Sequence, residues 1–270
     1  MMSRMMMTPC LLEIVGLQAC IGAERRLGPL DLRLEVGERV ALLGPSGVGK
    51  STLLRLIAAE LTPQGGQVRF EGRDLTGWSG AGLARRRAVL PQSHAVAFGL
   101  NAELVVALGR AALDPDPQGA DIVAEAMAQA CAGHLLGRRF DTLSGGEQAR
   151  VQLARVFAQL WDVEAGLLLV DEPLAALDPG LQLELMEAIT GFARMRGHAL
   201  LAVLHDVQLA LGHFGRLWLL GPEGGIRDLP ADAGDERVRQ ALQALYRIDF
   251  HRVDTPDGPA LVPARHRRSV

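Results

Sequence analysis

Gly44-Pro45-Ser46-Gly47-Val48-Gly49-Lys50-Ser51-Thr52 carries the spacing G-x-x-x-x-G-K-[ST], the pattern of a phosphate-binding loop. Its glycines let the backbone curl so that successive N–H groups point inward at phosphate oxygens. Within this pattern Lys50 reaches the β- and γ-phosphates and the Ser51 hydroxyl holds Mg²⁺. The flanks agree. Arg39 to Leu43 reads as a buried strand and Ser51 to Ala59 as a helix, so the helix N-terminus faces the bound anion. The loop by itself says nucleoside triphosphate and no more.

A second strand supplies the carboxylates. Leu168-Leu169-Val170-Asp171-Glu172-Pro173 ends an apolar run on two acids. The carboxyl end of a strand in an open α/β sheet faces the crevice where ligands bind. Asp171 is therefore placed to hold Mg²⁺, directly or through water, and Glu172 to polarise an attacking water. Leu143-Ser144-Gly145-Gly146-Glu147-Gln148 opens a long helix, Glu147 to Trp161. Ser144 with Glu147 three residues on fits a capping box, and such a cap leaves the Gly145 and Gly146 amides at the helix start for an anion.

Around these motifs strands and helices alternate. Gly166 to Val170, Ala199 to Leu204 and Arg216 to Leu220 read as strands, and Leu181, Leu185, Ile189 and Phe192 mark a helical stripe. The alternation predicts an α/β core with a mostly parallel sheet and flanking helices. Leu11 to Gln18 and Leu30 to Val36 predict an N-terminal antiparallel β-subdomain, and Gln67 to Phe70 reads as another short strand. Between His94 and Thr142 the pattern turns helical, with helices over Glu103 to Leu113 and Asp121 to Cys131 broken at Asp114-Pro115-Asp116-Pro117. Arg85-Arg86-Arg87 reads as a solvated helix end. The polar stretch from Ala231 predicts one helix, Asp235 to Tyr246, and a basic end at Arg265 to Arg268.

Bulk properties narrow the class. The 270 residues are 49% hydrophobic and 22% charged, with a net charge of −3, so no basic field favours nucleic acid. The three cysteines, Cys10, Cys20 and Cys131, are widely spaced without a C-x-x-C pair, which argues against a metal site or disulfide framework and for a reducing compartment. Pro9 and Glu13 interrupt the apolar N-terminus, so it does not read as a signal peptide. No run approaches the roughly 18 apolar residues of a membrane span.

The phosphate loop, Gln92, Leu143 to Gln148, Asp171-Glu172, Ala176-Leu177-Asp178 and His205 stand in the order found in ABC-type ATPases, and the sequence resembles that family over nearly its whole length. The resemblance implies a P-loop NTPase core in one domain, residues 1–230, with a helical subdomain inserted at about 93–142 and a short tail over 231–270. It implies that two copies face head to tail over two ATP molecules, so that Ser144, Gly145 and Gly146 of one copy contact ATP on the phosphate loop of the other. By the same resemblance Gln92 links Mg²⁺ and the attacking water to the helical subdomain, Asp178 lies at the dimer interface, and His205 contacts the γ-phosphate and orients the water with Glu172.

Two departures from the family pattern stand out. Ile21 occupies the place of an aromatic residue that stacks on adenine, and Leu174-Ala175-Ala176 lacks a hydroxyl usual before Asp178. The segments Arg86 to Gln92 and Val105 to Arg110 resemble importer ATPases for iron complexes, haem and cobalamin, and Ala158 to Trp161 and Leu201 to Asp206 are most similar to the haem-import branch, with ferric siderophore and cobalamin importers as the alternatives. That implies an ATP hydrolase on the cytoplasmic face of the bacterial inner membrane, partnered by a permease that docks near Ala95 to Leu100 and, indirectly, by a periplasmic binding protein. A soluble ABC ATPase acting on nucleic acid or the ribosome is the competing class, and it fits poorly with one cassette and a negative net charge.

Overall fold

The computed structural model describes residues 9–21, 25–92, 99–113, 115–174, 177–232 and 234–264. The permease-docking segment expected near Ala95 to Leu100 falls largely outside them, as do Ala175, Ala176 and the basic C-terminal end. The chain begins with two long strands, β1 (Cys10–Ile21) and β2 (Arg25–Glu35), paired antiparallel with Ile14 opposite Leu32 and Leu17 opposite Leu30. A turn at Gly37 leads into β3 (Arg39–Leu43), the phosphate loop and α1 (Lys50–Ile57). The chain then returns to the first sheet through β4 (Gly65–Phe70) and β5 (Arg73–Asp74), completing the order β2-β1-β4-β5.

A short helix, α2 (Gly80–Ala84), precedes β6 (Arg87–Leu90). The helical segment follows, with α3 (Ala102–Ala107), α4 (Gly119–Gln129) and the start of α5 (Gly145–Leu160). The core then alternates through β7 (Leu167–Asp171), α6 (Pro179–Arg196), β8 (Ala199–Val203), α7 (Val207–His213) and β9 (Arg216–Leu220). Strand β10 (Ile226–Pro230) closes the second sheet in the order β10-β9-β3-β8-β7-β6, parallel except where β10 runs against β9. Helix α8 (Glu236–Tyr246) and a hairpin, β11 (Phe250–Thr255) with β12 (Gly258–Pro263), end the described chain.

The period-two alternation of the central strands divides the interior. Leu43, Leu168, Val170, Leu200 and Ala202 point into one core with α5, α6 and the helical segment. Their neighbours Leu42, Leu167, Leu169, Leu201 and Val203 point into a second core shared with α1 and the antiparallel sheet. Because a strand sends successive side chains to opposite faces, strands covered on both faces must be apolar throughout. The parallel register brings the carboxyl ends of β3, β7 and β8 to one edge, with Leu42 opposite Val203 and Asp171 opposite Val203. That edge is where the site is built.

Three expectations change. The helix expected over Glu103 to Leu113 stops at Ala107 and tightens to a 3₁₀ turn over Leu108–Arg110. Gly109 there packs so closely on the Arg155 carbonyl that a Cβ would sit 2.2 Å from it. Arg110 turns inward, donating to Asp116, Asp162 and the Ala158 carbonyl. Arg87 is not part of a solvated helix end: it begins β6, is half-buried and donates to the Ala58 carbonyl. The tail expected to hold one helix carries the β11–β12 hairpin as well.

Candidate functional site

The loop after β3 closes on itself around Lys50. The Lys50 side chain is 4% exposed and its Nζ donates to the carbonyls of Gly44, at 2.9 Å, and Pro45, at 3.2 Å. Burial lowers the Lys50 pKa, while Glu172 and Asp171 act in the opposite direction. The charged ammonium is thus incompletely solvated and meets the Glu172 carboxylate only at 3.8 Å, a setting that favours an arriving phosphate. Gly49 has a φ of 112°, and a Cβ there would meet the Ile21 Cδ1 at 2.1 Å. Only glycine meets both conditions. Ile21, at the end of β1, is consequently seated on the loop and borders its cleft.

Two carboxylates face this loop from the end of β7. Asp171 Oδ1 accepts from the Ser51 hydroxyl at 3.0 Å. Burial raises the Asp171 pKa, and the bond from Ser51 partly offsets it. A hydroxyl beside a carboxylate is a donor set for a hard divalent cation completed by water and phosphate oxygens. Glu172 is held on three sides: Nζ of Lys50 lies 3.8 Å from Oε1, the Gln92 amide donates to Oε2 at 3.2 Å, and His205 Nε2 lies 2.6 Å from Oε1. The Glu172 backbone has a φ of 46°, left-handed for a residue with a Cβ. Such strain persists where the surroundings over-determine a conformation, often at active sites. Its N–H donates to the Val203 carbonyl at 3.2 Å, tying this turn to β8.

A cleft of about 270 Å³ joins Ser46, Gly47, Gly49, Lys50, Ser51 and Thr52 to Glu172 and His205. Gly44, Pro45 and Asp171 support it from behind through Lys50 and Ser51, and Val48 is buried in the core below. Ser144, Gly145 and Gly146 do not line this cleft. They form the start of α5, where Ser144 Oγ accepts from the Glu147 N–H at 3.3 Å and Glu147 accepts from the Ser144 N–H at 2.8 Å. The expected capping box is complete. Gly146 abuts Leu181 in the first turn of α6, whose N-cap is Asp178, accepting from the Leu181 N–H at 3.0 Å. The sequence-identified residues therefore fall into two groups, one at the loop and one at the start of α5 and α6.

Residues 27–175 match the ABC transporter family. The chain belongs to that family. A protein of Pseudomonas entomophila named "Hemin import ATP-binding protein HmuV" is 46% identical over 245 residues, covering 88% of this chain and 93% of the relative. A protein of the same name from Pseudomonas aeruginosa is 46% identical over 261 residues, covering 94% and 100%. Among solved structures, an inward-facing putative metal-chelate type ABC transporter shares the fold with a TM-score of 0.79 at 21% identity, over 96% of this chain and 99% of that one. A dimeric post-hydrolysis state of an ATP-binding cassette with ADP and Pi gives 0.71 at 23% identity, over 82% and 99%.

The ATPase domain is therefore placed by family, and its cofactor-facing chemistry is that of ATP. Sequence reasoning missed two supports of the site: the left-handed Glu172 and the carbonyls of Gly44 and Pro45 that hold Lys50. Neither has a side-chain signature, since both are properties of the backbone.

Proposed function

We propose that this chain is the ATP-hydrolysing subunit of a haem importer, acting as a head-to-tail pair on the cytoplasmic face of a membrane permease. The observation that carries the catalytic half is Glu172, which touches Lys50, Gln92 and His205 beside the Ser51–Asp171 pair. The cargo reading rests on relatives named for hemin import.

In this account the amides of Gly44 to Thr52 and the Lys50 ammonium hold the triphosphate. Lys50 exchanges the Gly44 and Pro45 carbonyls for the β- and γ-phosphates. Ser51, Asp171 and Gln92 would hold Mg²⁺, which neutralises developing charge on the phosphates. Glu172 accepts a proton from the attacking water, and His205 holds Glu172 and orients that water against the γ-phosphate. Ser144, Gly145 and Gly146 of a second copy cap the same phosphate: the Ser144 hydroxyl still has its own proton to donate, because in the capping box it acts as acceptor. Asp178 fixes the adjoining start of α6 at that interface. Hydrolysis reopens the pair and resets the permease.

Among the described residues no helix is long and apolar enough to cross a membrane. The test is ATP hydrolysis by the chain reconstituted with its permease. Haem-loaded periplasmic binding protein raises the rate in wild type, and Glu172→Gln lowers it by at least about 100-fold. Stimulation by a ferric siderophore or cobalamin complex, with none by haem, would overturn the cargo assignment.

A further inference from the structure

A helix start that receives a phosphate should be positive, and the start of α5 is not positive by itself. The aligned peptide dipoles leave about half an elementary charge at a helix N-terminus. Glu147 more than cancels it. Its Oε2 accepts from the Ser144 N–H at 2.8 Å, while its own N–H donates to Ser144 Oγ at 3.3 Å. The capping box therefore fixes a carboxylate in the first turn. Hydrogen bonding to Ser144, with a smaller contribution from Arg138, holds the Glu147 carboxyl below the ordinary carboxylate range, so it is ionised at neutral pH. Ser144 and Gly145 are exposed beside it, and a Cβ on Gly145 would meet nothing within 4 Å. Dipole and carboxylate together sum to about minus one half, the wrong sign for an arriving anion.

Arg138 reverses that sign. Its Nη1 donates to Glu147 Oε1 at 2.6 Å, so the two oxygens of one carboxylate serve Arg138 and Ser144 separately. The backbone that carries Arg138 is pinned to the start of α3. The Arg138 carbonyl accepts from the Ala102 N–H at 2.9 Å, and the Phe140 N–H donates to the Leu100 carbonyl at 2.9 Å. The guanidinium thus reaches Glu147 from a fixed peptide. The other charges around this helix start do not replace it. Arg139 is paired with Asp141 at 2.7 Å. Asp178, which caps the adjoining α6 by accepting from the Leu181 N–H at 3.0 Å, adds negative charge on the side where Gly146 meets Leu181.

We propose that Arg138 is a positioning residue for hydrolysis in the two-copy assembly: paired with Glu147, it neutralises the acid of the capping box and leaves Ser144, Gly145 and Gly146 able to receive the triphosphate held on the other copy. This role rests on the head-to-tail reading of the Ser144 motif. Arg138 acts through Glu147 and makes no contact with phosphate.

ATP hydrolysis by the full chain with its permease tests this as a double-mutant cycle. Glu147→Gln keeps the capping geometry and removes the charge. Arg138→Gln lowers kcat/KM for ATP by about fivefold, the upper end of what an exposed ion pair supplies. In the Glu147→Gln background the same substitution changes kcat/KM by less than about twofold. Arg138→Lys keeps the charge and restores most of the wild-type value, and the loss in Arg138→Gln narrows as salt is raised. A purely structural role predicts a lower melting temperature with kcat/KM unchanged. An equal loss in both backgrounds would mean that Arg138 meets phosphate directly. Either result overturns the proposal. Where Glu147→Gln is itself too slow to measure, Arg138→Lys decides: activity as low as that of Arg138→Gln overturns it. Ser144→Arg separates the underlying reading. If it hydrolyses ATP like wild type, the head-to-tail assignment itself fails. If it is inactive while Arg138→Gln keeps the wild-type kcat/KM, only the role of Arg138 fails.

Discussion

Glu172 shows what a single position can and cannot reveal in a sequence. Two acids after an apolar strand point to a crevice, and that much was legible because the hydrophobic pattern fixes where the strand ends. The left-handed turn that swings Glu172 toward Lys50 and His205 was not, since glutamate has no preference for such a conformation. His198 is the opposite case: the sequence gives it no role, and the structure makes it a fully buried core residue whose Nδ1 accepts from the Gly166 N–H at 3.0 Å. Burial lowers its pKa from 6.5 to about 4. Between these values the unfolded chain binds more protons than the folded one, so stability falls as pH drops from 6.5 toward 4 and is retained above 6.5. The loss at pH 4 is ~3 kcal/mol from this residue. Urea unfolding of wild type and His198→Gln at several pH values checks it: the variant should show the weaker pH slope across that window.

At the scale of elements, the signals that worked were those in which side-chain pattern and backbone need coincide. The α5 start was legible because Ser144 and Glu147 are themselves the capping groups, and β7 and β8 because strands covered on both faces must be apolar throughout. The signals that failed were decided by tertiary contacts. Helical periodicity runs on past Ala107, yet the helix tightens there because Gly109 meets the Arg155 carbonyl and Arg110 is drawn inside. The β11–β12 hairpin was hidden because only Phe250 of β11 and Leu261 of β12 are buried, too few apolar positions to display alternation. Arg110 carries a prediction at this scale. It is 5% exposed and joins Asp116 on the 111–118 connection to the Ala158 carbonyl of α5. Arg110→Ala removes the guanidinium from Asp116 and leaves that carbonyl only its long bond from the Trp161 N–H, at a cost of about 2 kcal/mol. Chemical denaturation should show that loss, and an unchanged midpoint would mean the connection is held by other contacts.

For the molecule as a whole, the sheet order explains why the residues identified from sequence fall into two separate groups. The parallel sheet gathers the phosphate loop, Asp171, Glu172 and His205 along one edge because β3, β7 and β8 end together. The helix start at Ser144 is grouped instead with Leu181 and Asp178 and lies outside the cleft that the loop lines. The fold and its motifs could be read from sequence because each motif sits at the end of a strongly patterned element. The pairing of two copies could not be derived from residue patterning and entered through resemblance to the family.

That pairing is most directly tested by mixing two inactive proteins. Lys50→Ala disables the phosphate loop and Ser144→Arg disables the helix start, so neither pure variant should hydrolyse ATP. In an equimolar mixture, a head-to-tail pair of unlike chains joins the intact loop of one to the intact Ser144-Gly145-Gly146 of the other. The account predicts that ATPase activity returns to about a quarter of the wild-type value, because half of the symmetric pairs are mixed and each regains one of its two sites. No recovery from verified mixed dimers would contradict it and place both halves of the site within a single chain.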